Sequence, residues 1–193
     1  MSVDGFVAGP NDETDWMFPS MSDGGRAWVI ELFESVGLQL IGRKVYEDWA
    51  GFWPTSPIPM ARYMNEIPKV VFSSSGEIDL AKIKVALDGA QTPVDPVVRE
   101  SWLNPIVAGK DLVADIQRLK AQDGKPILAQ GGNSFAASLI AANLVDVIHL
   151  AVHPVAIGRG YSLFGGLEAP MHLKLEGVKQ FETGAMVKTY RPA

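Results

Sequence analysis

No cysteine occurs among the 193 residues. That excludes disulfides, thiolate metal sites and cysteine nucleophiles, and it fits a reducing compartment. Positive charge is not in excess either. With 17 Lys+Arg against 22 Asp+Glu the formal net charge is −5, far from the broad basic footprint of a nucleic-acid binder. No apolar run reaches the roughly 18 residues of a membrane span. The most apolar stretch, 135–157, is broken by Asn143, Asp146, His149 and His153. The start of the chain, MSVDGFVAGP, carries Asp4 where a signal peptide carries positive charge. Internal repeats and low-complexity tracts are absent as well. These absences leave a soluble, cytoplasmic protein with neither a nucleic-acid nor a membrane partner. At 47% hydrophobic content the chain has enough apolar material for a single domain over 1–193.

What is present is an alternation of short apolar runs and amphipathic stretches. Residues 1–8 read as the end of a strand, closed by Gly9-Pro10. Helical spacing covers 27–36, with Trp28, Leu32 and Phe33 on one side. Short strands are expected at 38–41, 69–72, from Ile127, and at 145–152. Helices are expected at 44–49, 111–121 and 134–142, the last capped by Asn133 or Ser134. The four prolines of 51–68 point to loop with one helical turn at 61–65. Two alternating runs, 172–181 and 185–190, flank Glu182-Thr183-Gly184 and read as a hairpin. The stretch 76–105 reads as a surface excursion. Strands alternating with helices predict an α/β fold of three layers. Its central mixed, mostly parallel sheet carries an antiparallel edge from the C-terminal hairpin.

Three of the strands run directly into glycine or serine turns: Gly42-Arg43-Lys44, Ser73-Ser74-Ser75, and Gly131-Gly132-Asn133-Ser134. Such a turn, opening a helix, offers free backbone N–H groups at a positive helix end, which suits a phosphate. Any one of them is also an ordinary strand-to-helix connection. Together, with Arg43, Lys44 and several hydroxyls, they point to a ligand with phosphates spread along one sheet edge, a dinucleotide.

The segments SVDGFVAG, GRKVYE, VVFSSS, ILAQGGNSFAASLI and VDVIHLAVHPVAIGRGYSLF, in that order, resemble the dihydrofolate-reductase-like superfamily. Within it they are most similar to the reductase domain of riboflavin biosynthesis and its stand-alone relatives. The resemblance implies NADPH as cofactor and hydride transfer to a small heterocycle, pterin-like or ribosylaminopyrimidine-like. A non-catalytic NADP(H)-binding protein of the same fold is the alternative. By the same resemblance Gly42, Arg43 and Lys44 meet the pyrophosphate and the 2′-phosphate, and Ser73 and Ser74 help bind the 2′-phosphate. Gly131 and Gly132 approach the pyrophosphate through a cis peptide, with Asn133 and Ser134 opening the helix over it. The backbone of Val7 and Ala8 would hold the nicotinamide carboxamide.

Asp4 is the candidate proton donor or substrate ligand, its pKa raised if partly buried; it could equally cap the following turn. Trp16, Phe52 and Trp53 could line a substrate pocket or pack beneath their loops. Counting back from Gly42 places Arg26 where dihydrofolate reductases carry a carboxylate, which speaks against dihydrofolate as substrate. The absence of an accompanying deaminase domain speaks against riboflavin intermediates. His149 and His153 read as core or interface histidines, and no metal site is expected. The first strand is expected to be short, or the chain to begin inside a longer one. The stand-alone relatives imply a homodimer.

Overall fold

Short runs of β-branched and aliphatic residues between glycine and proline punctuation give short strands, and the amphipathic stretches between them give helices. A computed structural model describes residues Met1–Ala193. Strand β1 (Phe6–Ala8) is followed by a 3-10 segment (Asp15–Ser20) and helix α1 (Asp23–Ser35). β2 (Leu38–Gly42) runs straight into α2 (Arg43–Trp49). α3 (Ala61–Glu66) precedes β3 (Lys69–Phe72). Then come α4 (Leu80–Asp88), α5 (Pro96–Leu103) and β4 (Ile106–Ala108). α6 (Leu112–Lys120), β5 (Ile127–Ala129) and α7 (Asn133–Ala141) follow. The chain closes with β6 (Ile148–Val152), β7 (Tyr161–Ser162), β8 (Leu173–Gln180) and β9 (Met186–Pro192).

The chain divides into two compact units, one of residues Leu32–Phe135 and one of Met1–Glu31 with Ala136–Ala193. The first holds a four-stranded, all-parallel sheet in the order β4-β3-β2-β5. Every residue of β3 is buried, and so are the last four of β2, as parallel strands covered by helices require. Its core gathers Leu40, Ile41, Val70, Val71, Tyr46, Met64 and Trp102.

The stretch 76–105 is not an excursion. It holds α4 and α5, which bury Ile83, Leu87 and Trp102. Asp79 caps α4 by accepting from the Lys82 amide, and Asp95 caps α5 by accepting from Val97 and Val98. Trp102 stacks on Tyr46 with ring centroids 4.8 Å apart, and the Tyr46 hydroxyl donates to the Trp102 carbonyl at 2.8 Å. Burial pushes the Tyr46 phenol far above its ordinary range.

In the second unit β1 pairs antiparallel with β7. β9 lies between β6 and β8 in an antiparallel sheet. The expected hairpin is β8–β9, turning at Gly184 with φ 83°. The Gly184 amide donates to Phe181 O there, and Phe181 N donates to Ala185 O. β8 is exposed along almost its whole length. The α/β class, with its parallel sheet, helices and antiparallel C-terminal strands, is the one read from the sequence.

Candidate functional site

All four strands of the parallel sheet deliver their carboxyl ends to one edge, where ligands of such sheets bind. The register pairs Gly42 with Phe72, Phe72 with Ala108, and Leu40 with Ala129. The segments that leave these strands therefore start side by side: Arg43-Lys44, Ser73–Ser75, Gly109-Lys110 and Gln130–Ser134. α2 begins at once after Gly42, and no side chain caps it. The half-exposed Arg43 guanidinium donates to the buried Glu47 carboxylate at 3.3 Å. The same Glu47 oxygen accepts from the Asp79 amide at 3.0 Å. Arg43 is thus held by one contact while about half of its side chain, 48%, stays exposed. Lys44 is exposed on the same turn of helix.

The two serines expected at the 2′-phosphate play different parts. Ser73 is buried, and its hydroxyl donates to Glu77 O at 2.7 Å and meets the Ser75 hydroxyl at 3.0 Å. It builds the turn. Ser74 is exposed and is the hydroxyl on offer.

Lys110, which the sequence reading did not single out, stands at the same edge. Its side chain crosses the serine turn at Gly76, with Cε only 2.4 Å and Nζ 3.3 Å from where a Cβ on Gly76 would sit. Gly76 has φ 74°, so its backbone disfavours a side chain there, and any added Cβ would displace the flexible end of Lys110. The acids nearby are committed elsewhere. Asp111 accepts from the Ala114 amide, and Asp115 accepts from the Gly109 amide and pairs with Arg118. The sequence signal is a glycine and a lysine directly after a third apolar run, in PIVAGK.

The Gly131-Gly132 peptide is trans, not cis. The turn is made instead by two successive left-handed residues, Gly131 at φ 70° and Gly132 at φ 89°. A Cβ on Gly131 would sit 2.7 Å from Val45 Cγ1 and 3.0 Å from Trp49 Cη2. Glycine is required on both counts, and the side chains of α2 wall one flank of the turn. The Gly42 amide donates to Gly131 O at 3.4 Å. Asn133 opens α7, with Ser134 exposed in its first turn.

The other expected residues are placed as follows. Phe52 is 48% exposed beside the buried Trp53, their ring centroids 4.8 Å apart. Trp53 also meets Trp49 edge-on, and its buried Nε1 has no hydrogen-bond partner. Asp4, Val7, Ala8 and Trp16 belong to the other unit. Val7 and the buried Ala8 lie in β1 against β7. The Asp4 carboxylate accepts from the Gly158 amide at 2.7 Å and from Ile157 at 3.2 Å. Hydrogen bonds from Ser2 and from Gly158 hold it below its ordinary range, opposite to the raised pKa of a buried acid. Trp16 donates to Glu13 O and meets His153 edge-on. His153 contacts the Ser20 hydroxyl at 2.7 Å, and His149 the Thr189 hydroxyl at 3.0 Å. Arg26 pairs with Asp23 on α1.

A model of the family described as the RibD C-terminal domain matches residues 1–187. The chain belongs to the RibD C-terminal domain family. This RibD C-terminal domain protein is 27% identical over 192 residues to the uncharacterized protein YyaP of Bacillus subtilis (strain 168), covering 98% of this chain and 90% of that one. Among solved structures it resembles a Shewanella sp. PV-4 protein assigned to riboflavin biosynthesis, with TM-score 0.71 and 20% identity. That match covers 100% of this chain and 95% of the other. It also resembles the dihydrofolate reductase of Enterococcus faecalis complexed with NADP(H), with TM-score 0.55 and 13% identity, over 100% and 92% of the two chains. At these identities the likeness to solved structures is one of fold. No helix of this family member is long and apolar enough to cross a membrane.

Proposed function

We propose that this chain is an NADPH-dependent reductase that passes a hydride to a small heterocycle, pterin-like or ribosylaminopyrimidine-like. The observation that carries the reading is that Arg43, Ser74 and Lys110 stand on segments leaving the adjoining ends of β2, β3 and β4, with the Lys110 side chain against Gly76 of the serine turn. Two cations and a hydroxyl on an open turn suit a phosphomonoester, the group that distinguishes NADPH from NADH. Membership of a riboflavin-type family and the NADP(H) held by the fold relative from Enterococcus faecalis support the same reading. Gly131, Gly132, Asn133 and Ser134 would receive the diphosphate on backbone amides, with Lys44 adding charge. When bound, NADPH supplies the hydride, and the protein supplies position. Half-exposed Phe52 offers the substrate ring a stacking face, with Trp53 packed beneath it.

A second reading, NADP(H) binding without turnover, is favoured by the state of Asp4. Its carboxylate is spent on the Ile157 and Gly158 amides, so we assign it to anchoring that loop. The first test is thermal stabilisation by NADPH against NADH. A clear excess for NADPH supports the cofactor reading, and equal or absent shifts overturn it. NADPH consumption with a panel of pterins, flavin precursors and quinonoid compounds then separates reductase from binder. In any active pairing Asp4→Asn should leave turnover in place, and its loss would return the proton-donor role to Asp4. The assembly we propose is a two-fold homodimer. A monomeric mass at micromolar concentration overturns that.

A further inference from the structure

Gln39 is a primary amide with no exposed surface, on a central strand of the parallel sheet. Its register neighbours are Lys69 on one side and Leu128 on the other. Burying such a group is costly unless its hydrogen bonds are made. Both ends are used. Nε2 donates to the Tyr63 carbonyl of α3 at 2.9 Å, and Oε1 accepts from Gln130 Nε2. Gln130 Nε2 also lies 3.4 Å from the Met64 sulfur of the same helix, and its backbone amide donates to Leu40 O at 2.9 Å. Gln130 is the residue that leads into Gly131-Gly132. Two glycines with positive φ have little of their own to hold them in one pose. Val45 and Trp49 wall one flank, and the Gly42 amide takes the Gly131 carbonyl. The Gln39–Gln130 amide pair fixes the approach.

We propose that Gln39 and Gln130 are positioning residues for the diphosphate-binding turn. Through them the β5 end is tied to β2 and, by Tyr63 O, to α3, so a diphosphate meets amides already aimed. This rests on the cofactor reading above. It goes beyond that reading in giving a binding role to a pair that touches no ligand. A purely structural role for the same pair would lower stability but would not discriminate between ligands.

The experiment compares the full chain with Gln39→Met, Gln130→Met and the double variant. Each is titrated with NADPH and with adenosine 2′-monophosphate, which carries the 2′-phosphate and no diphosphate, and each is unfolded in urea. Each single variant is expected to lose about tenfold in NADPH affinity. Adenosine 2′-monophosphate should bind as in the wild type. The double variant should be no weaker than the weaker single one, because the two residues act as one unit. Gln130 is only partly buried, so its variant carries the test if Gln39→Met fails to fold. Equal losses for both ligands, or losses in stability alone, overturn the proposal. A wild-type protein that binds adenosine 2′-monophosphate but not NADPH overturns the diphosphate site alone. One that binds neither overturns the cofactor reading, and this proposal with it.

Discussion

The two units use their polar groups in opposite ways. In the Met1–Glu31 and Ala136–Ala193 unit the conspicuous candidates are committed: Asp4 to two loop amides, His153 to Ser20, His149 to Thr189. In Leu32–Phe135 the buried polar groups Gln39, Lys69 and Ser73 are likewise committed, while Trp53 Nε1 is not, and the carboxyl edge of the sheet carries exposed polar side chains. There Ser74, Lys110 and much of the Arg43 guanidinium stand on turns whose internal hydrogen bonds are made by Ser73, Ser75 and Glu47. A parallel sheet accounts for this. Its ladder consumes the backbone along the strands and leaves every strand ending at the same edge. The antiparallel sheet of the other unit sends alternate strand ends to opposite edges.

The largest test of the contrast is Gly131→Ala. A side chain there needs φ 70° and overlaps Val45 and Trp49, so we expect a loss of about 2–4 kcal/mol in urea unfolding. NADPH binding measured by calorimetry should disappear with it. Lys110→Ala comes next. It should weaken NADPH about tenfold or more, the worth of a charge-assisted contact, while leaving NADH binding and the unfolding midpoint near wild type. Binding that falls equally for both cofactors would remove Lys110 from the 2′-phosphate.

The third test reads the interior. Lys69 is buried without a carboxylate partner, donating to Asn65 O and Ile67 O and lying 5.2 Å from the Trp102 ring centre. Burial lowers its pKa to about 8. The folded chain therefore releases this proton before the unfolded chain does. Stability relative to Lys69→Met should rise between pH 8 and 10.5, by up to about 3 kcal/mol, and stay flat below pH 8. Urea titrations across that range decide it.

The smallest effect belongs to the other unit. Burial lowers the pKa of His149 and of His153, so folding favours their neutral forms. Stability should fall as pH drops through the unfolded value near 6.5. His153→Gln should flatten part of that fall without changing NADPH binding.

What could be read in advance follows the same physics. β2 and β3 announce themselves because buried parallel strands are continuous apolar runs ended by turn residues, and the half-exposed β5 by its short apolar run into the glycine pair. With them came the positions of Gly42, Arg43, Ser74 and the glycine pair at the strand ends. The helices of 76–105 did not, because each presents only one or two buried side chains, Ile83 and Leu87 or Trp102, too few for a clear period. Their signals were the caps, Asp79 and the Asp95-Pro96 pair. Lys110 was hidden because its partner turn lies a helix pair and a strand away, and β4 is too exposed to look like a strand. Ser73 and Ser74 look alike in sequence; only the turn separates the builder from the displayed group. The trans Gly131-Gly132 bond was beyond a reading by resemblance, because two glycines can reverse a chain by φ alone.

The order of strands also has a temporal meaning. β2 is made early, yet its partner β5 is made only after α2 to α6, and the Gly42–Gly131 contact closes that whole loop. Closing long loops before they are rewarded by contacts slows folding. During synthesis the ends of β2 and β3 can meet well before the glycine pair exists, so the Gly131-Gly132 turn is among the last features of its unit to mature. The other unit waits longer still. Its residues 1–31 precede Leu32–Phe135, but β6, β8 and β9 follow only after all of Leu32–Phe135 has been made.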